Sequence, residues 1–159
     1  LASLQAAMRE QGHEVPENEE VLVPLGQAEV KREGSDVSFI TWGKMVLVAQ
    51  QAADQLAKEN IAAEIVDLRT LRPMDVDAIA TSVSKTNRAV VLEEGLFVAG
   101  VGAHVADFVQ RECFDDLDAP VLRVHQEDVP MPYAKNLERA AKPDAKKAVA
   151  AAKKVLYLE

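Results

Sequence analysis

Strand-like and helix-like segments alternate along this chain, and the alternation predicts a three-layer α/β/α sandwich around a mostly parallel, mixed sheet. Three observations carry that expectation. Val37–Trp42 is rich in residues that suit a pleated surface and is broken by Gly43. Between it and the next such run, Ala63–Leu68, lies one helix-length amphipathic segment, so the two strands run parallel in a right-handed βαβ unit. Ala89-Val90-Val91-Leu92 is nearly all apolar, as expected of a strand buried on both faces. The organising stretch is Asp36 to Arg72, a strand, helix and strand closed by a turn at Pro73.

Taken in order, Leu1, Leu4, Ala7 and Met8 fall at helical spacing, and the acidic segment Glu14–Glu20 with Pro16 ends whatever precedes it. Residues 1–20 are thus a leading segment and residues 21–159 the domain. Val21–Gly26 is short and interrupted by Pro24, an edge strand at best, and Ala28–Lys31 suits a further short strand. The first helix buries Met45, Val48, Ala49, Ala52, Ala53, Leu56 and Ala57, and Asn60 ends it. Asp75 is placed to N-cap a second helix with the stripe Val76, Ile79, Ala80 and Val83. A glycine-bearing loop, Gly95 to Gly102, leads to a third helix with Val101, Val105, Phe108 and Val109 on one face. After a turn at Leu117–Pro120, Val121–His125 reads as the last strand. The prolines in Val129–Tyr133 exclude a ladder there, and Pro143-Asp144 opens a terminal helix carrying Ala148, Val149, Ala152, Val155 and Leu156.

At 159 residues the chain suits one domain able to bury a core without staples. A net charge of -8 argues against a nucleic-acid surface and for a basic partner or plain solubility. One cysteine, Cys113, cannot close an internal disulfide, which points to a reducing compartment. No apolar run reaches membrane-spanning length. The first residue is Leu1 rather than methionine, which implies a fragment or a processed chain.

The chemistry-bearing residues are few. Gly100-Val101-Gly102 before a helix suggests an anion site at the free amides of a helix start. The dinucleotide and phosphate-loop patterns are not completed, however, so glycines that allow close helix–sheet packing are the better reading. Glu93-Glu94 ends a buried strand at the sheet edge where open α/β folds bind ligands, and would serve there to orient a substrate or, more commonly, as a cap or ion pair. His13, His104 and His125 are not spaced as metal ligands with each other or with Cys113, which reads as a small buried hydrophobe. Asp115, Asp116 and Asp118 form an acidic, solvated corner. No serine sits in a motif with histidine and carboxylate. The residues describe an α/β domain with no self-contained catalytic, cofactor or metal site.

Other motifs are more particular. Ala62-Ala63-Glu64-Ile65-Val66-Asp67-Leu68-Arg69-Thr70-Leu71-Arg72-Pro73-Met74-Asp75 resembles the hallmark of transketolase C-terminal domains, especially those in the β subunits of 2-oxo acid dehydrogenase E1 components. Val23–Val30, Ser82–Thr86, Val90–Gly95, Gly100–Ala103, Leu117–Val121 and Asp128–Ala134 fit the same subunits in the same order, from about Glu14 to Leu158. Asp128–Tyr133 with Asn136-Leu137-Glu138 is most similar to the pyruvate-specific members. The chain departs from that pattern at Leu1–His13, at His104 where an acidic residue is common, and at Ala99 where a second glycine is usual.

The resemblance implies an α2β2 enzyme using thiamine diphosphate and Mg²⁺ to decarboxylate a 2-oxo acid and pass the acyl group to a lipoyl group on E2. It places that machinery in the α subunit and in the N-terminal half of β. This chain has no Gly-Asp-Gly motif and is expected to be inactive alone, serving assembly and docking of the peripheral subunit-binding domain of E2. By position, the resemblance points to Asp118, Leu158 and Glu159 for that contact, and the acidic charge suits a basic partner. The compartment it implies is the bacterial cytoplasm or the mitochondrial matrix. Two other readings stay open: a free-standing module binding a small anion or nucleotide at the Gly95–Gly102 loop, and the C-terminal domain of another thiamine enzyme such as transketolase.

Overall fold

The computed structural model describes residues 22–158. Its elements are β1 (Glu29–Arg32), β2 (Val37–Thr41), α1 (Met45–Ala57), β3 (Ala63–Asp67), α2 (Val76–Thr86), β4 (Ala89–Leu92), α3 (Val101–Glu112), a 3₁₀ turn (Phe114–Asp116), β5 (Leu122–Val124), α4 (Lys135–Ala141) and α5 (Ala145–Val155). The five strands form one sheet in the order β1-β3-β2-β4-β5. β2 pairs in parallel with β3 and β4, and β4 with β5, while β1 runs antiparallel to β3 with an irregularity between Val30 and Arg32. The sheet is therefore mixed, as the sequence predicts.

Period-two alternation along the central strands divides the core in two. Val37, Phe39, Ile65, Val90 and Leu92 face α1 and α5, against Met45, Ala49, Leu56, Ala148 and Ala152. Ile40, Val66 and Val91 face α2 and α3, against Ile79, Val83, Val105 and Val109. All of β2 and β4 is buried, because helices cover both faces. Alanines dominate the contact between α1 and α5, and small side chains let those helices approach closely.

Local signals set the element ends. Asp75 Oδ1 accepts from the Ala78 N–H at 3.0 Å as the N-cap of α2, and Asp144 Oδ1 accepts from the Lys147 N–H at 2.8 Å at the start of α5. Asn87 closes α2 in the left-handed conformation, φ 58°.

Some expectations fail. Ala57 at the end of α1 and Val76 at the start of α2 are exposed rather than on the buried faces of their helices, because each stands in a terminal turn beyond the covering contacts. The described part of Val21–Gly26 joins no strand. Pro24 lacks a ladder donor, and the segment instead meets the Thr70–Pro73 turn, where the Gly26 N–H donates to Thr70 Oγ1 at 2.9 Å. Val101 is exposed rather than on the buried face of α3; the buried residues of that helix are Gly102, Val105 and Val109. Helix α4 was not anticipated. It buries only Ala141, so no apolar stripe betrays its period. The Leu1–Met8 periodicity lies outside the described residues.

One polar seam crosses the α2 face. Ser38 Oγ lies 2.6 Å from Ser82 Oγ and 2.7 Å from Thr86 Oγ1, all buried. In the next strand Glu64, paired in register with Ser38, is 1% exposed and ion-paired to Lys85, which also reaches Glu33 at 2.6 Å. Hydrogen bonding to Glu33, then to Glu64, holds the Lys85 pKa above its ordinary value, and Lys85 holds that of Glu33 below the usual carboxylate value.

The signs follow from linkage. The Lys85 contribution is complete below the ordinary lysine pKa and is lost as pH rises through the raised folded value. The Glu33 contribution is complete above the ordinary carboxylate pKa and is lost as pH falls through the lowered one. Lys85→Met strands the buried Glu64 carboxylate and is expected to cost about 2 kcal/mol in urea unfolding at pH 7, discounted for the exposure of Lys85. In a Glu64→Gln background the cost of Lys85→Met shrinks below about 1 kcal/mol. Equal costs in the two backgrounds would remove the pair from the account.

Candidate functional site

In open α/β sheets the carboxyl ends of the strands present the ligand-binding edge. Here that edge is built around Glu93, directly after β4 and 2% exposed. Its Oε1 accepts from Arg123 Nη2 of β5 at 2.7 Å, and its Oε2 accepts from the Gly102 N–H, in the first turn of α3, at 2.9 Å. Arg123 also donates from Nη1 to the Phe97 carbonyl at 3.0 Å and lies 5.5 Å from the centre of the Phe97 ring. The Phe97 ring in turn meets His125 at 5.1 Å. Strand end, loop and helix start are thereby tied to one buried carboxylate.

This explains the glycines. A Cβ at Gly102 would lie 2.3 Å from Glu93 Oε1, and one at Gly100 would lie 2.5 Å from the Leu96 carbonyl and 2.8 Å from Glu93 Oε1. The close-packing reading is the one the geometry supports, although the surface approached is a carboxylate rather than apolar strand residues. The Gly102 N–H that could meet an external anion meets Glu93 instead.

Of the Glu93-Glu94 pair, only Glu93 is buried and both caps a helix start and forms a close ion pair. Glu94 makes a looser, exposed one, 3.6 Å from Lys44. Arg123 was not singled out by sequence, since an arginine in a short strand carries no signal until its partner is seen.

His104 is exposed on α3, and His125 Nδ1 lies 2.7 Å from the Gln126 carbonyl. His13 lies outside the described residues. Cys113 is a buried free thiol whose pKa is pushed up first by burial, then by Asp116 and Glu112, the environment of an inert packing residue. Among the described residues no group of three histidine, cysteine, aspartate or glutamate side chains is placed to hold a metal ion.

The acidic corner is more ordered than a solvated turn. Asp116 accepts from the Ser84 hydroxyl, and its carbonyl accepts from Asn87 Nδ2 at 2.7 Å. Asp118 pairs with Arg88 at 3.0 Å. The Tyr157 hydroxyl donates to the Asp118 carbonyl at 3.1 Å, which brings the end of the chain to this corner. Leu158 is 59% exposed beside it, and Glu159 lies outside the described residues.

The family model described as "Transketolase, C-terminal domain" matches residues 26–148. The chain belongs to the transketolase C-terminal domain family. Within that family, a Rickettsia felis protein named pyruvate dehydrogenase E1 component subunit beta is 49% identical over 148 residues, covering 92% of this chain and 45% of the relative. A mitochondrial protein of the same name from Dictyostelium discoideum is 46% identical over 139 residues, covering 87% of this chain and 39% of the relative. The chain thus spans less than half the length of these curated relatives. A solved structure titled "Split gene transketolase, inactive beta4 tetramer" superposes with a TM-score of 0.73 at 32% identity, covering 91% of this chain and 46% of that one.

As a transketolase C-terminal domain whose strand edge hangs on Glu93, the chain should tolerate changes there poorly. Glu93→Ala leaves the partly buried Arg123 without its carboxylate and is expected to cost about 3 kcal/mol. Gly102→Ala, which crowds the same oxygen, should cost about 2 kcal/mol. Chemical denaturation measures both. Costs below about 0.5 kcal/mol, as at ordinary surface sites, would mean the loop does not depend on this carboxylate.

Proposed function

We propose that this chain is the C-terminal domain of the β subunit of a pyruvate dehydrogenase E1, where it assembles the enzyme and docks its acyltransferase partner. The observation that carries this reading is the 49% identity over 148 residues to a protein of that name. In the assembled α2β2 enzyme, thiamine diphosphate and Mg²⁺ supply the carbanion chemistry that decarboxylates pyruvate. The residues described here do not fit that group: no cluster suited to a metal lies among them, and the glycine-flanked helix start is occupied by Glu93. The role of this domain is to hold subunits and partner, in the bacterial cytoplasm or the mitochondrial matrix according to its source.

The corner where Asp118 meets Tyr157 is the proposed docking surface for the basic peripheral subunit-binding domain of E2. Asp118 keeps more than half its side chain exposed although paired with Arg88, so a competing cation can reach it. Leu158 supplies an exposed apolar contact next to it, and Glu159 a further carboxylate.

Calorimetric titration of the chain with that E2 domain tests this reading. Binding is expected at low salt, weakening at high salt as exposed charges are screened. Asp118→Lys should weaken it by roughly tenfold or more, as expected when a like charge is set against a basic partner. Absence of binding at either salt would overturn the docking role. A parallel assay of pyruvate decarboxylation expects no turnover from the chain alone, and turnover when the α subunit and the N-terminal half of β are supplied. Turnover by the chain alone would overturn the division of labour.

A further inference from the structure

The strand edge has a second region, on the opposite side of the sheet from the Glu93 loop. After β2 the chain passes into α1 on one face, and after β4 into α3 on the other. The carboxyl ends of β2 and β4, which are neighbours, thus form a topological switch point, where open sheets leave a crevice for ligands. A cleft of about 410 Å³ opens at this position, and Lys44, Glu94, Lys135, Arg139 and Lys142 supply much of its charge. Its volume lies within the range of small-molecule sites.

Two helices aim one face each into it. Lys44, Val48 and Gln51 recur at helical spacing along the start of α1, and Lys135, Glu138, Arg139 and Lys142 do so along α4. The anions in the cleft are already engaged. Glu94 lies 3.6 Å from Lys44, Glu138 lies 2.5 Å from Lys142, and Asp144 caps α5 through the Lys147 N–H. Lys135 and Arg139 have no ionic partner among the described residues. The first turn of α1 carries no acidic residue and no side-chain cap, so its dipole adds to the same positive field. Val48, Pro143 and Ala145 give the cleft an apolar wall.

We propose that this cleft is a binding site for a small phosphate-bearing anion, held by Arg139 and Lys135. A planar guanidinium engages phosphate oxygens in pairs and a lysine adds a mobile point charge, while the apolar wall accommodates an organic body. This site is distinct from the Asp118 corner and does not depend on the docking reading.

The probe is inorganic pyrophosphate, titrated into the ¹⁵N-labelled chain of 159 residues and followed by amide NMR shifts. Saturable shifts are expected at Lys44, Val48, Lys135 and Arg139, with Kd below about 1 mM. The double variant Lys135→Gln/Arg139→Gln should weaken binding roughly tenfold or more, through loss of both charge-assisted contacts. Lys146→Gln/Lys154→Gln, which removes as much charge elsewhere, should leave it unchanged. The spectrum of each variant reports its folding directly. Unsaturable shifts, shifts centred on the lysines of α5, or equal loss in both double variants would overturn the proposal.

Discussion

The buried Glu93 carboxylate is the contact on which the ligand-edge half of this domain depends. A lone carboxylate at 2% exposure is costly to desolvate, and its position is sustainable only because Arg123 and the Gly102 amide meet it from two sides. The requirement propagates outward. Gly95, Gly100 and Gly102 must lack side chains, Ala99 takes a positive φ of 59°, and Arg123 must reach across from β5. An interaction between two charges thereby dictates the shape of a loop, the start of a helix and the identity of a residue in another strand.

A second buried carboxylate, Glu64, does comparable work toward the other end of the strands. Lys85 reaches it from α2, and the Ser38–Ser82–Thr86 hydroxyl cluster lies alongside. Both carboxylates stand on or just after parallel strands and both bind a cation supplied by a different element. Apolar packing alone would let α2 and α3 slide on the smooth β-branched surface beneath them. Directional polar contacts fix where along that surface each helix sits.

Much of this was legible in the sequence, for identifiable reasons. The β2–α1–β3 unit announces itself by a change of period from two to 3.6 and back, and Asp75 and Asn87 carry the start and stop signals of α2. Helix α4 escaped because a helix that buries only Ala141 has no stripe to read. Val21–Gly26, interrupted by Pro24, reads as an edge strand at best, and its described part packs on the Thr70–Pro73 turn instead, a contact no local signal announces. At the strand edge, Glu93 was visible as a cap or ion pair, but its partner was not: Arg123 lies 30 positions away, and nothing local links them. The ordered motifs pointed to the family that the comparisons establish, whereas the cationic cleft depends on helices brought together only in three dimensions.

The borders of the sheet carry a consequence of their own. One outer strand, β5, is three residues long, and the other, β1, is four residues long with its pairing broken between Val30 and Arg32. Neither offers a long, regular row of backbone donors and acceptors, so the sheet is a poor template for lateral extension by another chain. Large apolar side chains nevertheless stand in solvent near the strand ends, among them Phe97, Val98, Met131 and Tyr133. Whatever covers them must meet them by shape and side-chain contact, leaving the ladder of β1 to β5 a closed set. A surface packed against these side chains would come away without unzipping the sheet beneath it.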